Sequence, residues 1–248
     1  MTLGDRDVLK ATARGRPATA AGPTAAWLRR RVLYWAGGHG REFIWRRSRA
    51  PYDVLLAELL LHRTRADVVE PTFLRLRAAY PTPARLADAA EDEIVELLRP
   101  LGYSHRSRRL PALGRALVER HRGAVPAERE ALLALPGVGP YIANAVLAIA
   151  FGKPVPLLDP NVIRVIGRVF GVWSVRPRPR DDQMLWDFVE GLVSPSRPAE
   201  FGLALVDLGA LVCTVRRPRC SDCPLCLRCA AYISGSVEPA APGSRGTG

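Results

Sequence analysis

The sequence predicts an all-α fold, and three observations carry that reading. Apolar residues recur at three- and four-residue spacing through most of the chain. Prolines and glycines fall between the periodic stretches, at Pro81, Pro83, Gly123, Pro126, Pro136 and Pro156. No segment alternates cleanly with period two, and no long internal repeat is evident. With 248 residues, 48% hydrophobic and 24% charged, the chain can build one large domain or two small ones sharing a cleft. That composition excludes an intrinsically disordered chain.

Taken in order, residues 1–23 are rich in Ala, Gly, Arg and Thr without a hydrophobic period and read as a mobile tail. Helices are predicted near 24–37, 52–61, 65–79, 91–99, 105–121 and 127–134, then near 139–151, 159–171, 183–194 and 200–212. Residues 234–248 read as a second tail. No run reaches the roughly 18 uncharged apolar residues that a membrane helix needs. The stretch from Met1 to Pro23 has no apolar core of the kind a secretory signal carries. The expected setting is the cytoplasm, without a membrane partner.

Thirty-six basic residues against 24 acidic ones give a formal net charge of +12. Only Lys10 and Lys153 are lysines, so arginine supplies nearly all of the positive charge. A GC-rich genome explains a bias toward arginine codons. The net charge also fits an acidic partner, of which nucleic acid is the commonest.

All five cysteines lie between Cys213 and Cys229, where crowding without a secretory signal argues against a disulfide framework. Cys213, Cys220, Cys223 and Cys229 read C-x6-C-x2-C-x5-C. Four thiolates at that spacing suit either a [4Fe–4S] cluster or a tetrahedral zinc. Cys226 sits between two of them, as a free thiol or as an alternative ligand in a C-x2-C pairing.

Leu135-Pro136-Gly137-Val138-Gly139, followed by Pro140, joins two predicted helices through a very tight turn. Glycines there permit unusual backbone angles and close approach of another backbone. The turn opens a helix whose first N–H groups can hold a phosphate oxygen, and Pro140 suits the first helical position. An ordinary interhelical turn has the same look. Ala143, Ala145, Ala148 and Ala150 let the following helix pack closely, as a rigid phosphate clamp requires.

The hairpin, the segment Leu158-Asp159-Pro160-Asn161-Val162 and the cysteine spacing together resemble the helix-hairpin-helix DNA glycosylases of the endonuclease III superfamily. The likeness runs from about Trp27 to Tyr232. It implies a six-helix barrel module over 51–154 and a [4Fe–4S] cluster module over 155–233. The N-terminal helices of 24–50 would pack with the cluster module, and the active-site cleft would lie between the modules. It also implies a monomer that binds double-stranded DNA through Gly137, Val138 and Gly139, and a cytoplasmic, nucleoid-associated setting.

Asp159 matches the essential aspartate of that family, 18 residues after Tyr141. Breaking an N-glycosidic bond builds positive charge on the sugar, and a fixed carboxylate offsets it. A plain helix N-cap is the other reading of the same residue. Family members that also nick the backbone carry a lysine at position 141; here it is Tyr141. The segments Phe43-Ile44-Trp45-Arg46 and Glu58 to Thr64 resemble the thymine glycosylases of the MIG type and the adenine glycosylases of the MutY type. Tyrosine at 141 resembles the thymine enzymes, while Ile44 departs from the proline common in its segment.

Glu58 matches a glutamate shared by both groups. Glu58, His62 and Arg65 follow one another at i, i+4 and i+7 and are expected to form one stripe. It reads as a solvated face by spacing alone, while the resemblance implies a face against DNA, with His62 and Arg63 near the gap left by the flipped nucleotide. The resemblance implies an extra C-terminal domain in adenine enzymes, and the stretch after Cys229 is expected to be a tail instead, which favours the thymine reading. The expected activity is monofunctional excision of thymine or uracil from G:T and G:U mismatches in base excision repair. The alternatives are an adenine glycosylase acting opposite G or 8-oxoguanine, and a DNA-binding module without catalysis.

Overall fold

The computed structural model describes residues 23–61, 64–102 and 109–237. Most of both expected tails therefore lies outside the described residues. Every regular element among the described residues is helical, and no described helix is long and apolar enough to cross a membrane. The chain divides into two compact units, Glu42–Lys153 and a second unit joining Met1–Arg41 to Pro154–Gly248.

In the unit over Glu42–Lys153 the helices are α2 (Pro51–Leu61), α3 (Ala66–Ala79), α4 (Pro83–Ala87), α5 (Glu91–Leu98), α6 (Arg109–His121), α7 (Arg129–Leu133) and α8 (Pro140–Phe151). Helices α2 and α8 are apolar almost all round, which suits central helices rather than surface ones. Leu55, Leu56 and Leu60 of α2 and Ala145, Val146 and Ala148 of α8 are at most 1% exposed. The two helices pack against each other, and α2 also packs on α3. Gly152, at φ +65°, ends α8 in the left-handed conformation.

The sequence reading places Pro81 and Pro83 in a connection, but the structure has the short helix α4 there. Thr82 caps it by accepting from the Arg85 N–H, and Pro83 takes its first position. Five residues are too few to show a period, so only the Thr-Pro signal marks this helix. Its main neighbour is α6, which approaches through Gly114. A Cβ at Gly114 would lie 2.4 Å from the Ala87 nitrogen and 2.8 Å from its Cα.

Gly114→Ala therefore forces two backbones apart. Overpacking of roughly 3 kcal/mol outweighs the ~1 kcal/mol that alanine gains in a helix. A net loss of about 2 kcal/mol is expected in urea unfolding. An unchanged midpoint would show that α4 and α6 separate freely.

In the other unit, α1 (Pro23–His39), α9 (Pro160–Phe170), α10 (Gln183–Leu192), α11 (Pro198–Leu211) and α12 (Ala230–Ile233) surround a second core. Helix α9 shows why: Val162, Val165, Ile166 and Val169 recur at i, i+3, i+4 and i+7 and are all buried. They join Leu28 and Val32 of α1, Leu185 of α10 and Leu205 of α11. Helix α11 packs on both α1 and α9. Asp207, only 1% exposed, accepts from the Arg41 N–H at 2.9 Å and from its Nε at 2.7 Å. That pair ties the chain after α1 to α11.

Candidate active site

The hairpin lies between α7 and α8. Gly137 has φ +84°, a conformation that side chains other than glycine's adopt only with strain. Gly139 differs. It caps α8 with φ −102° and ψ 178°, extended backbone that any residue can adopt. Its role is spatial: among the described residues, no atom beyond its chain neighbours lies within 4 Å of where its Cβ would stand. The expectation that both glycines supply unusual angles is therefore corrected. Gly137 makes the turn, and Gly139 keeps the approach to the helix open. Val138 is buried, and its N–H donates to the Leu135 carbonyl at 3.2 Å. Gly139 offers no side chain to cap the first turn of α8, so that turn presents N–H groups suited to an anion.

Tyr141 stands half-buried in this first turn. Glu58 belongs to α2, the helix packed on α8, and is 6% exposed. A solvated face does not describe it. Nor does Arg65 continue the face that carries Glu58. Helix α2 ends at Leu61, and Arg65 is the extended residue before α3, paired with Asp67 at 3.0 Å in solvent. With Arg65 extended, the seven-residue spacing does not set it on one helical face with Glu58. His62 and Arg63 lie outside the described residues.

Asp159 caps α9. Its Oδ1 accepts from the Val162 N–H at 2.8 Å, and its Oδ2 accepts from the Asn161 side-chain amide at 2.7 Å. Burial raises its pKa above the ordinary carboxylate range, although both hydrogen bonds and the nearby Arg164 guanidinium pull the other way. The cap is thus real, and it holds the carboxylate in one orientation.

Four further residues, Asn161, Arg164, Arg168 and Gly209, build this site, and the sequence reading gave none of them a role of its own. The Asn161 side-chain carbonyl accepts from Arg164 Nη2 at 2.8 Å; the same nitrogen donates to the Gly209 carbonyl at 2.7 Å. Arg164 Nε donates to the Cys213 carbonyl at 2.6 Å. A chain of hydrogen bonds thus runs from Asp159 through Asn161 and Arg164 to the backbone of the first cysteine. Gly209 permits it, since a Cβ there would lie 2.6 Å from the Asn161 Cβ. One turn on, Arg168 donates to the Cys213 sulfur at 3.4 Å and to the Thr214 and Val215 carbonyls. Two arginines four residues apart on an otherwise apolar helix were the available signal.

All five cysteines are free and line one cavity, together with Val165, Arg168 and Leu225 among others. Polar groups attend the sulfurs. The Leu225 N–H donates to Cys223 Sγ at 3.4 Å, and the Cys229 thiol donates to the Arg168 carbonyl at 3.3 Å. Burial and the neighbouring thiols raise the pKa values of Cys220 and Cys229 and push that of Cys223 up to about 12. Among the described residues, no three His, Cys, Asp or Glu side chains are arranged to hold a single metal ion.

The model of the HhH-GPD superfamily of base excision DNA repair proteins matches residues 56–190, more than half of the chain. The chain belongs to that superfamily. The HhH-GPD match encloses Glu58, the hairpin, Tyr141, Asp159, Asn161 and Arg164, while the cysteines lie beyond it. A thymine/uracil-DNA glycosylase of Pyrobaculum aerophilum is 44% identical over 198 residues, covering 78% of this chain and 86% of that protein. An adenine DNA glycosylase of Rattus norvegicus is 37% identical over 227 residues, covering 87% of this chain and 44% of that one. Among solved structures, a thermostable thymine-DNA glycosylase superposes with a TM-score of 0.80 at 33% identity, covering 85% of this HhH-GPD chain and 97% of that one.

Proposed function

We propose that this protein is a monofunctional DNA glycosylase that extrudes thymine or uracil from G:T and G:U mismatches in double-stranded DNA and hydrolyses the N-glycosidic bond. It acts as a monomer in base excision repair, in the cytoplasm at the nucleoid. The observation that carries the chemistry is Asp159, a carboxylate fixed by two hydrogen bonds at a helix start. The choice of base is supported by the 44% identity to a thymine/uracil enzyme over most of both chains. The unit over Glu42–Lys153 is read as the barrel module and the other unit as the cluster module.

In this mechanism the bond between the sugar C1′ and the base breaks with its electron pair leaving on the base. Asp159 offsets the positive charge that develops on the sugar. Water then adds to C1′, giving up one proton, and the base takes up a proton on departure. Glu58 exchanges a proton with the departing base, and Tyr141 contacts the sugar or base without forming a covalent bond. The adenine relatives support a second reading, excision of adenine opposite guanine or 8-oxoguanine. Duplexes carrying G:T, G:U, A:G and A:8-oxoguanine pairs separate the two. Excision confined to the adenine pairs would overturn the first.

The hairpin is assigned to backbone phosphate, with Gly137, Val138 and Gly139 at the contact and His62 and Arg63 near the extruded nucleotide. With +12 formal charge, affinity for undamaged duplex should fall more than about tenfold between ~50 and ~200 mM salt. Gly139→Leu, which the extended backbone accommodates, should weaken binding about tenfold with no change in thermal stability. Salt-independent affinity would refute this account of the charge.

The cysteines fit a [4Fe–4S] cluster held by Cys213, Cys220, Cys223 and Cys229. Five cysteines line one cavity with N–H donors at two of the sulfurs, which supports a thiolate-bound group there, and the four-cysteine spacing favours the cluster. When bound, the cluster would cross-link the loop between α11 and α12 and supply a redox-capable centre. Anaerobically purified protein is expected to be brown, with about four iron atoms per chain. A colourless protein with one zinc would sink this assignment.

A further inference from the structure

Cys226 has no part in the ligand set assigned above, yet the loop repeats one structural unit twice. Cys220–Asp222 forms a 3-10 turn, and Cys226–Arg228 forms another. Each opens on a cysteine and is closed by a cysteine three residues later. The Cys223 N–H donates to the Cys220 carbonyl at 3.2 Å, and the Cys229 N–H donates to the Cys226 carbonyl at 3.2 Å. The closing cysteines share a backbone conformation, φ −80° and ψ 123° at Cys223 against φ −81° and ψ 114° at Cys229. Cys226 thus takes in the second turn the place that Cys220 takes in the first.

Three more observations bear on it. The Cys226 N–H donates to the Cys223 carbonyl at 3.3 Å, linking the two turns. Cys226 is a half-buried free thiol on the same cavity as the four assigned ligands. Its turn follows Leu225, which is fully buried, while Leu227 inside it is 80% exposed. The turn is anchored at its start and open to solvent at its middle, so adjusting it disturbs little packing.

We propose that Cys226 is a reserve iron ligand, a thiol seated beside the cluster site that takes over from Cys220 when that ligand is lost. Cys213, Cys223, Cys226 and Cys229 then still present four sulfurs, and the C-x2-C spacing is kept between Cys226 and Cys229. The exchange is a substitution at iron. The bond to Cys220 Sγ breaks, and that sulfur takes up a proton. The Cys226 thiol releases its proton to water as its sulfur bonds to iron, and no electron is transferred. The inference rests on the cluster reading of this loop.

The test uses anaerobically purified full-length protein, with iron content and native iodoacetamide labelling read by mass spectrometry. In the unaltered protein Cys226 should be labelled and the four ligands protected. Cys220→Ala should keep most of its iron, with Cys226 now protected, whereas Cys220→Ala with Cys226→Ala should lose it. Cys226→Ala alone should load fully and then lose iron faster in air than the unaltered protein. That arm stands even where Cys220→Ala does not fold. Equal iron loss in the single and double variants, or an unchanged rate of loss in Cys226→Ala, overturns the reserve role and leaves the cluster reading intact. An unaltered protein without iron overturns both.

Discussion

Asp159→Asn is expected to lower single-turnover excision by about 10³-fold or more, or roughly 4 kcal/mol at the transition state, while mismatch binding persists. The amide is neutral and cannot offset charge on the sugar. Asparagine is as good an N-cap as aspartate, so the Val162 contact survives and α9 stays capped. The second oxygen is another matter. The Asn161 amide donates to it, and replacing that oxygen by NH2 sets donor against donor. Turning Asn161 over would only move the conflict to Arg164, which needs the Asn161 carbonyl. A modest folding cost of about 1 kcal/mol should accompany the catalytic loss.

The pH dependence follows from the raised pKa of Asp159. In the proposed mechanism excision needs the ionised Asp159 carboxylate, so the acid limb of the rate profile should lie above the ordinary carboxylate range. For folding the sign is opposite. Burial disfavours the charged form, so stability from this group falls as pH rises from the unfolded-state pKa toward the raised folded one. Asp159→Asn removes that term, so its stability relative to the unaltered protein should improve from acid to neutral pH. Near-normal excision by Asp159→Asn would move the catalytic role to Glu58.

How much of this was legible in the sequence depended on how local each feature is. The long helices, the tight turn and the cap at Asp159 rest on contacts within a few residues, and periodicity, Gly137 and the Asp-Pro pair signal them directly. Helix α4 was missed because five residues show no period, and its identity rests on a contact with Gly114 of α6 nearly 30 residues away. Arg65 left the stripe begun by Glu58 for a related reason: spacing says nothing about which residue near a helix end turns extended. Asn161 and Arg164 were overlooked because what matters about Arg164 is its bond to the Cys213 carbonyl, 49 residues on. Only the packing of α9 on α11 creates that partner. Cys226 was visible as a fifth cysteine, but its likeness to Cys220 lies in turn geometry, which spacing alone leaves open.

The unaltered enzyme is expected to leave an intact abasic site, with borohydride trapping little or no covalent complex. A lyase step needs an uncharged amine that reaches the sugar. Position 141 holds a phenol, and phenols form no imine. Of the two lysines, Lys10 lies outside the described residues, and Lys153 is engaged, its ammonium donating to the Ala127 carbonyl. That bond closes the chain after α8 onto the segment before α7, a structural tie that makes Lys153 a poor nucleophile. Excision products should therefore break only after hot alkali. Tyr141→Lys places an amine in the first turn of α8, directly after the hairpin, and should make borohydride trapping detectable where the unaltered protein shows none. Efficient trapping of the unaltered protein would overturn the monofunctional assignment. Lys153→Gln would then decide whether that amine is the source: loss of trapping would locate the nucleophile there, and persistence would point to Lys10 or the N-terminal amine.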